Sequence, residues 1–213
     1  MLIKDDKVCA VFKKVHHIRE EYQRYVIGNN THLIAIEDLQ RVVENMYDLA
    51  IVKTQLDFSS VFIRGMMERH KDKILIRVYS GQPLDWKRFT TVKEMCHVVI
   101  DEAEDWSVEG VTTLKEMIHE FSLESTPDSA EEAEKVSQSE LLAEIAATEI
   151  MYPYEVRQGD LKRLSEKATT YDIIAKEHGL PVSVIGRALS KSYHEEIAIP
   201  IWGMVATVLQ AAE

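Results

Sequence analysis

The chain has 213 residues, 46% of them hydrophobic, which is enough apolar material for a real core in one large domain or two small ones. A formal charge of −11 argues against a dedicated nucleic-acid binder, because phosphate neutralisation needs a basic surface. Two cysteines, Cys9 and Cys96, give no disulfide framework; the N-terminus turns charged at once, and no run reaches the roughly 20 apolar residues of a membrane helix. The expectation is a soluble protein of a reducing cytoplasm, with no membrane partner.

In chain order, Val8, Val11, Phe12, Val15 and Ile18 recur at helical spacing and predict a helix over 5–25, ended by Ile27-Gly28-Asn29-Asn30. A second amphipathic helix is predicted over 36–47, with Leu39, Val42, Val43 and Met46 on one face. The period then shortens. Residues 49–56, 61–67 and 74–79 are rich in β-branched residues and are expected to form a three-stranded antiparallel meander. Gly81-Gln82-Pro83 closes it, and helical periods return over 86–100 and 111–121.

Residues 124–140 read ESTPDSAEEAEKVSQSE, acidic and poor in large apolar side chains, and are expected to be a solvated loop. The Ala-, Leu- and Ile-rich run 141–151 predicts a buried helix that Pro153 ends. From 158 onward the pattern is a set of short helices. The reading is therefore α+β, with a domain over 1–157 and a helical extension over 158–213 packed on it. The apolar segment 199–209 either packs back on the core or covers a partner surface, which leaves a dimer open.

The densest chemical signal is Lys93-Glu94-Met95-Cys96-His97. Zinc peptidases place two histidines four residues apart on a helix, so that both imidazoles share a metal, and a glutamate after the first activates the metal-bound water. Here the glutamate and the second histidine are present and a lysine stands where the first histidine would be. Taken alone, such a pentapeptide equally fits a buried core histidine. Cys96 points about 100° away from His97 on a helix and reads as a packing residue.

The stretch from Arg88-Phe89-Thr90 through Lys93-Glu94 and His97 to Asp101 resembles the signature of the ImmA/IrrE metallo-endopeptidases, R-F-T-x-x-H-E-x-G-H with an apolar triplet and a polar residue after it. The strands before it, and the Ala143-to-Pro153 run after it, are similar to that family as well, so the resemblance covers about 40–190. It implies a zincin-like helical body with a small three-stranded antiparallel sheet and helix-turn-helix-like C-terminal helices. It places the first metal histidine on Lys93, the catalytic glutamate on Glu94, the second histidine on His97, and the third ligand, a glutamate, on Leu142. Glu140 and Glu144 flank that last position, and Glu144, on the predicted buried helix, is the expected substitute metal ligand beside His97.

Two of three ligand positions are thus altered, and no cofactor is expected, with zinc as the alternative. A protonated lysine is no zinc ligand. It does offer a positive charge to carboxylates that would otherwise be buried without one. The expected function is a degenerate, non-catalytic metallopeptidase-like protein with a regulatory or interaction role in a bacterial or phage stress or repressor system. The family implies a helix-turn-helix repressor as protein partner. Two alternatives stay open. One is an active endopeptidase using His97, Glu144 and one of Asp101, His119 or Glu140, with Glu94 as base. The other is a DNA-binding regulator using the helix-turn-helix-like residues 171–191, whose second helix offers only Arg187 and Lys191 as cations.

Overall fold

A computed structural model describes residues 5–26, 33–57, 64–71, 73–101 and 127–211, with the backbone alone over 127–137. The predicted turn at 27–30, the start of the second predicted strand (61–63) and the predicted helix over 111–121 lie outside the described residues. Helix α1 (Asp5–Tyr25) buries the stripe Val8, Val11, Phe12, Val15 and Ile18. Each such side chain, fully buried, contributes about 1.5–3 kcal/mol. Helix α2 (Ile36–Tyr47) buries Ile36, Leu39, Val42 and Val43 and ends at Asp48, whose φ of 50° is left-handed. Its Glu44 carboxylate accepts from the backbone N–H of Ile51 at 2.7 Å, which fixes how the chain enters the sheet.

Strands β1 (Ala50–Leu56), β2 (Gly65–Arg69) and β3 (Lys73–Tyr79) form a sheet in the order β1-β3-β2. β2 pairs antiparallel with β3, from Gly65 opposite Val78 to Arg69 opposite Ile74, but β1 runs parallel to β3. The three-stranded sheet and the α+β class are as expected; the antiparallel meander is corrected to a mixed sheet. The reason lies in β3, whose Ile74, Ile76 and Val78 are its most deeply buried side chains. The strand with the most apolar face takes the centre, and mostly exposed β1 is left to an edge. Alternation identifies strands and says nothing of which one they pair with.

Helix α3 (Leu84–Ile100) is buried on every side from Phe89 to Ile100, apart from Lys93, which is half-buried. It packs on β2 and β3 and on helix α4 (Pro127–Met151), whose small Ala143, Ala146 and Ala147 are fully buried. The loop expected over 124–140 is therefore corrected: the backbone is helical from Pro127. Proline suits a helix start, the Asp and Glu residues that follow are good neighbours for the positive end of the helix dipole, and no glycine interrupts the run. Polarity marks solvation; it does not exclude a helix.

The tail is α5 (Tyr154–Ser165), α6 (Tyr171–His178), α7 (Val182–Ala188), the short α8 (Lys191–Tyr193), a π-helical turn (His194–Ala198) and α9 (Ile199–Gln210). α6 ends at Gly179, left-handed at φ 59°, where a Cβ would come within 3.1 Å of Arg88 Nε. Arg88 of α3 donates from Nε to the Gly179 carbonyl (3.3 Å) and from Nη2 to that of Ile34 (2.8 Å). α9 turns Ile201 and Val205 inward to Val8, Phe12 and Ile145, and leaves Met204 and Val208 exposed. No described helix is long and apolar enough to cross a membrane.

One carboxylate ties this tail down. Glu149, fully buried near the end of α4, accepts from Arg157 Nη2 on both oxygens at 2.6 Å, from the Tyr193 hydroxyl at 2.8 Å and from Trp202 Nε1 at 2.9 Å. Replacing it by leucine leaves the buried Arg157 charge unmatched, and unfolding in urea is expected to show a loss of about 3–5 kcal/mol. The double change Glu149→Leu with Arg157→Met is expected to recover most of it; a double change as damaging as the single one contradicts this assignment.

Candidate functional site

Lys93, His97 and Asp101 lie four residues apart and therefore share one face of α3 and its C-terminal end. That face meets Ser139 and Glu140 of α4. Lys93 Nζ lies 3.1 Å from Glu94 Oε1 and makes a closer ion pair with Glu140 Oε2. The other oxygen of Glu140 is 3.2 Å from His97 Nε2. On the far side of the imidazole, Nδ1 is 3.0 Å from Asp101 Oδ2, and the Ser139 hydroxyl donates to Asp101 Oδ1 at 2.7 Å. The Lys93–Glu94 and His97–Glu140 contacts are off the line of a hydrogen bond, leaving Glu94 Oε1 and His97 Nε2 without an aligned partner. They are charge contacts.

The backbone around the cluster is closely fitted. β2 passes over Glu94 at Gly65, where a Cβ would stand 2.4 Å from Thr90 Cγ2 and 2.8 Å from Glu94 Oε1. Only glycine lets the strand lie there without shifting the carboxylate. Gln82 holds the neighbouring turn, donating to the Arg64 carbonyl at 2.6 Å and accepting from the Thr90 hydroxyl at 3.0 Å.

These contacts set the protonation states. Burial acts on Lys93 to lower its pKa, but the Glu94 and Glu140 carboxylates overcome this and raise it well above the ordinary lysine value. Burial likewise disfavours charge on His97, yet Asp101 and Glu140 push its pKa up to about 10. Burial works against ionised Glu140, and His97 with Lys93 overrule it and hold the carboxyl well below the usual range. Burial pushes the Cys96 thiol far up, with Glu94 adding to it, so Cys96 is no ready thiolate. At neutral pH the Glu140 carboxylate is held between the Lys93 ammonium and the His97 imidazolium.

Of the residues singled out in the sequence, Lys93, Glu94, His97, Asp101 and Glu140 come together. Glu144 does not join them: its Oε1 is 2.6 Å from Arg187 Nη1, in a half-exposed pair. Leu142 is half-buried against apolar side chains of the core. The α4 carboxylate that faces His97 is Glu140. Glu144 shares roughly its side of the helix but is four residues, or roughly 6 Å, further along the axis. His119 lies outside the described residues. Sequence reading passed over Ser139 and Gly65 entirely; Ser139 sits in the segment read as a loop, and a lone glycine before Met66 carries no signal of close approach.

A second polar cluster lies in the tail. Asp160, Glu177 and His178 bring ligand-type atoms within 4.8 Å of one another. Arg163 already supplies their positive charge, from Nη1 to Asp160 at 2.8 Å and from Nη1 and Nη2 to Glu177 at 2.9 Å. Asp160 also accepts from the Tyr152 hydroxyl at 2.8 Å and contacts His178 Nε2 at 3.1 Å. This group locks α6 to α5.

No family model matches the chain, and no curated protein matches it. Among solved structures, a Mycobacterium tuberculosis transcriptional regulator is similar over 86% of this chain and 50% of its own, with a TM-score of 0.46 and 11% identity. The chain spans about half the length of that protein.

The charge cluster makes stability depend on pH at both ends. Glu140, with its pKa depressed, contributes stability above the ordinary carboxyl value of 4.5 that is lost as pH falls and it takes up a proton. His97, with its pKa raised, contributes stability fully present below 6.5 and lost as pH rises through about 10. The urea midpoint is expected to be highest between those limits, and His97→Gln to flatten the alkaline limb and, because His97 also holds the Glu140 pKa down, to weaken the acid limb as well; an unchanged alkaline limb in that variant would contradict the assignment.

Proposed function

We propose that the chain is a metallopeptidase-like protein without hydrolytic chemistry, acting through protein contacts in a regulatory role. One observation carries the reading: the Lys93 ammonium lies between Glu94 and Glu140, while the second oxygen of Glu140 meets His97. In a zinc peptidase of the type its motif resembles, a metal ion would bring those carboxylates and that imidazole together. A catalytic zinc site uses three protein ligands and an open position. Here the donors left are His97 and Glu140, with a cation already between the carboxylates, and that set does not fit zinc. Lys93 is read as the electrostatic stand-in for the ion, and Glu94 as a general base with no metal-bound water to act on. The third ligand position is read at Glu140, replacing the assignment to Leu142 and the substitute Glu144.

The regulatory setting, and a helix-turn-helix repressor as partner, follow from the ImmA/IrrE resemblance. Direct DNA binding by α6 and α7 has less support. Arg187, one of two cations offered there, is paired with Glu144, and Arg88 ties the turn at Gly179 to α3.

Metal analysis after purification without chelator or nickel column tests the reading. The native chain is expected to carry zinc far below one ion per chain. Lys93→His is expected to bind zinc close to one per chain, and to lose it again when Glu140→Gln is added. Stoichiometric zinc in the native protein would overturn the proposal, and a Lys93→His variant that folds and ignores zinc would overturn the placing of Glu140.

A further inference from the structure

The junction between α8 and α9 holds a buried histidine that the site at Lys93 does not involve. His194 is 4% exposed, its ring stacks on Tyr154 with centroids 5.6 Å apart and planes at 25°, and its Nδ1 is buried with no hydrogen-bond partner. It opens the π-helical turn, in which the Ile199 N–H bonds to the His194 carbonyl. Such turns are rare and occur frequently at functional sites. The two residues that seat this arm on Glu149 lie on either side of it, Tyr193 before and Trp202 after.

We propose that His194 is a proton-operated latch for the C-terminal helix: on taking up a proton, its imidazole leaves the pocket beside Tyr154 and Arg157, and the seat of α9 on Glu149 loosens. A neutral imidazole can present a bare nitrogen to an apolar wall at modest cost. An imidazolium carries N–H donors on both nitrogens, so buried Nδ1–H would go unmatched. The charged groups facing it are the Arg157 cation of α5, which is fully buried and cannot withdraw, the Glu149 carboxylate of α4, and Glu195 on its own turn. Glu149 is already engaged by Arg157, Tyr193 and Trp202, so it has little left to offer a new cation. Burial, and then Arg157, accordingly lower the His194 pKa, with Glu149 and Glu195 opposing. A lowered histidine pKa gives docking stability that is present above the ordinary value of 6.5 and lost as pH falls below it. The π turn offers the hinge, because moving His194 gives up only its own two backbone bonds, to Ser190 and from Ile199, and leaves the rest of α9 whole.

The reading is tested on the full chain with nitrogen-15 in its tryptophan indoles, the Trp202 signal being assigned with Trp202→Phe. As pH is lowered from about 7.5 to about 5, the range in which histidine titrates, that signal is expected to move from its hydrogen-bonded position toward that of a solvated indole. His194→Phe, which keeps the stack on Tyr154 and cannot charge, is expected to hold the signal still; His194→Gln serves the same purpose if the phenylalanine variant does not fold. The His16 ring lies 6.4 Å from that of Trp202, so His16→Gln is run beside them and is expected to keep the step. A native protein with no step, a step that survives loss of His194, or a step abolished by His16→Gln would each overturn the latch.

Discussion

A charge placed inside a protein must meet an opposite charge there; on α4, fully buried Glu149 is under that constraint, and half-exposed Glu140 answers it for the more deeply buried Lys93 and His97 of α3. Each is met differently. Glu149 has no exposure and is closed in by one guanidinium, one phenol and one indole, drawn from α5, α8 and α9. Glu140 lies nearer the surface and is shared between an ammonium and an imidazole, both from α3. The apolar faces bring the helices together, but apolar contact tolerates sliding. The carboxylates do not, because a helix moved by one residue would leave a buried charge facing hydrocarbon.

The same reasoning explains why Lys93 is tolerated where burial ought to exclude it. Removing an ammonium from water costs several kcal/mol or more unless carboxylates surround it. Glu94 and Glu140 do so on two sides, and the aliphatic stem of a lysine covers the gap between α3 and α4.

Much of this was legible in the sequence, and the parts that were not have physical reasons. The stripes of α1 and α2 follow from periodicity, because one face of each helix meets the core; α3 is buried on every side from Phe89 to Ile100 apart from Lys93. Lys93, Glu94, His97 and Asp101 lie on a single helix and its end, so spacing alone brings them together. Glu140 comes from another element, and its identification required the position of α4 against α3, which no local pattern states. The acidic composition of 127–137 further hid the helix, since solvated helices and solvated loops share a composition. The parallel pairing of β1 with β3 was hidden for a related reason: strand partners are chosen by the burial each edge can offer, which is a property of the assembled sheet.

Glu140 and Glu149 are nine residues apart on one continuous helix, so the charge cluster beside His97 and the anchor of the tail are held at a fixed separation of roughly 13 Å. Neither cluster is a large source of net stability, since well-packed apolar residues can replace a buried ion pair at little loss. Their effect is on arrangement. Each permits one register between α4 and its neighbours, and together they fix both ends of the buried half of that helix. A protein of the proposed kind, with no hydrolysis to perform, would still need the surface around α3 and α4 to keep one shape if that surface is what a partner reads. The lysine set among Glu94, His97 and Glu140 meets that need: the opposite charges hold α3 and α4 in place.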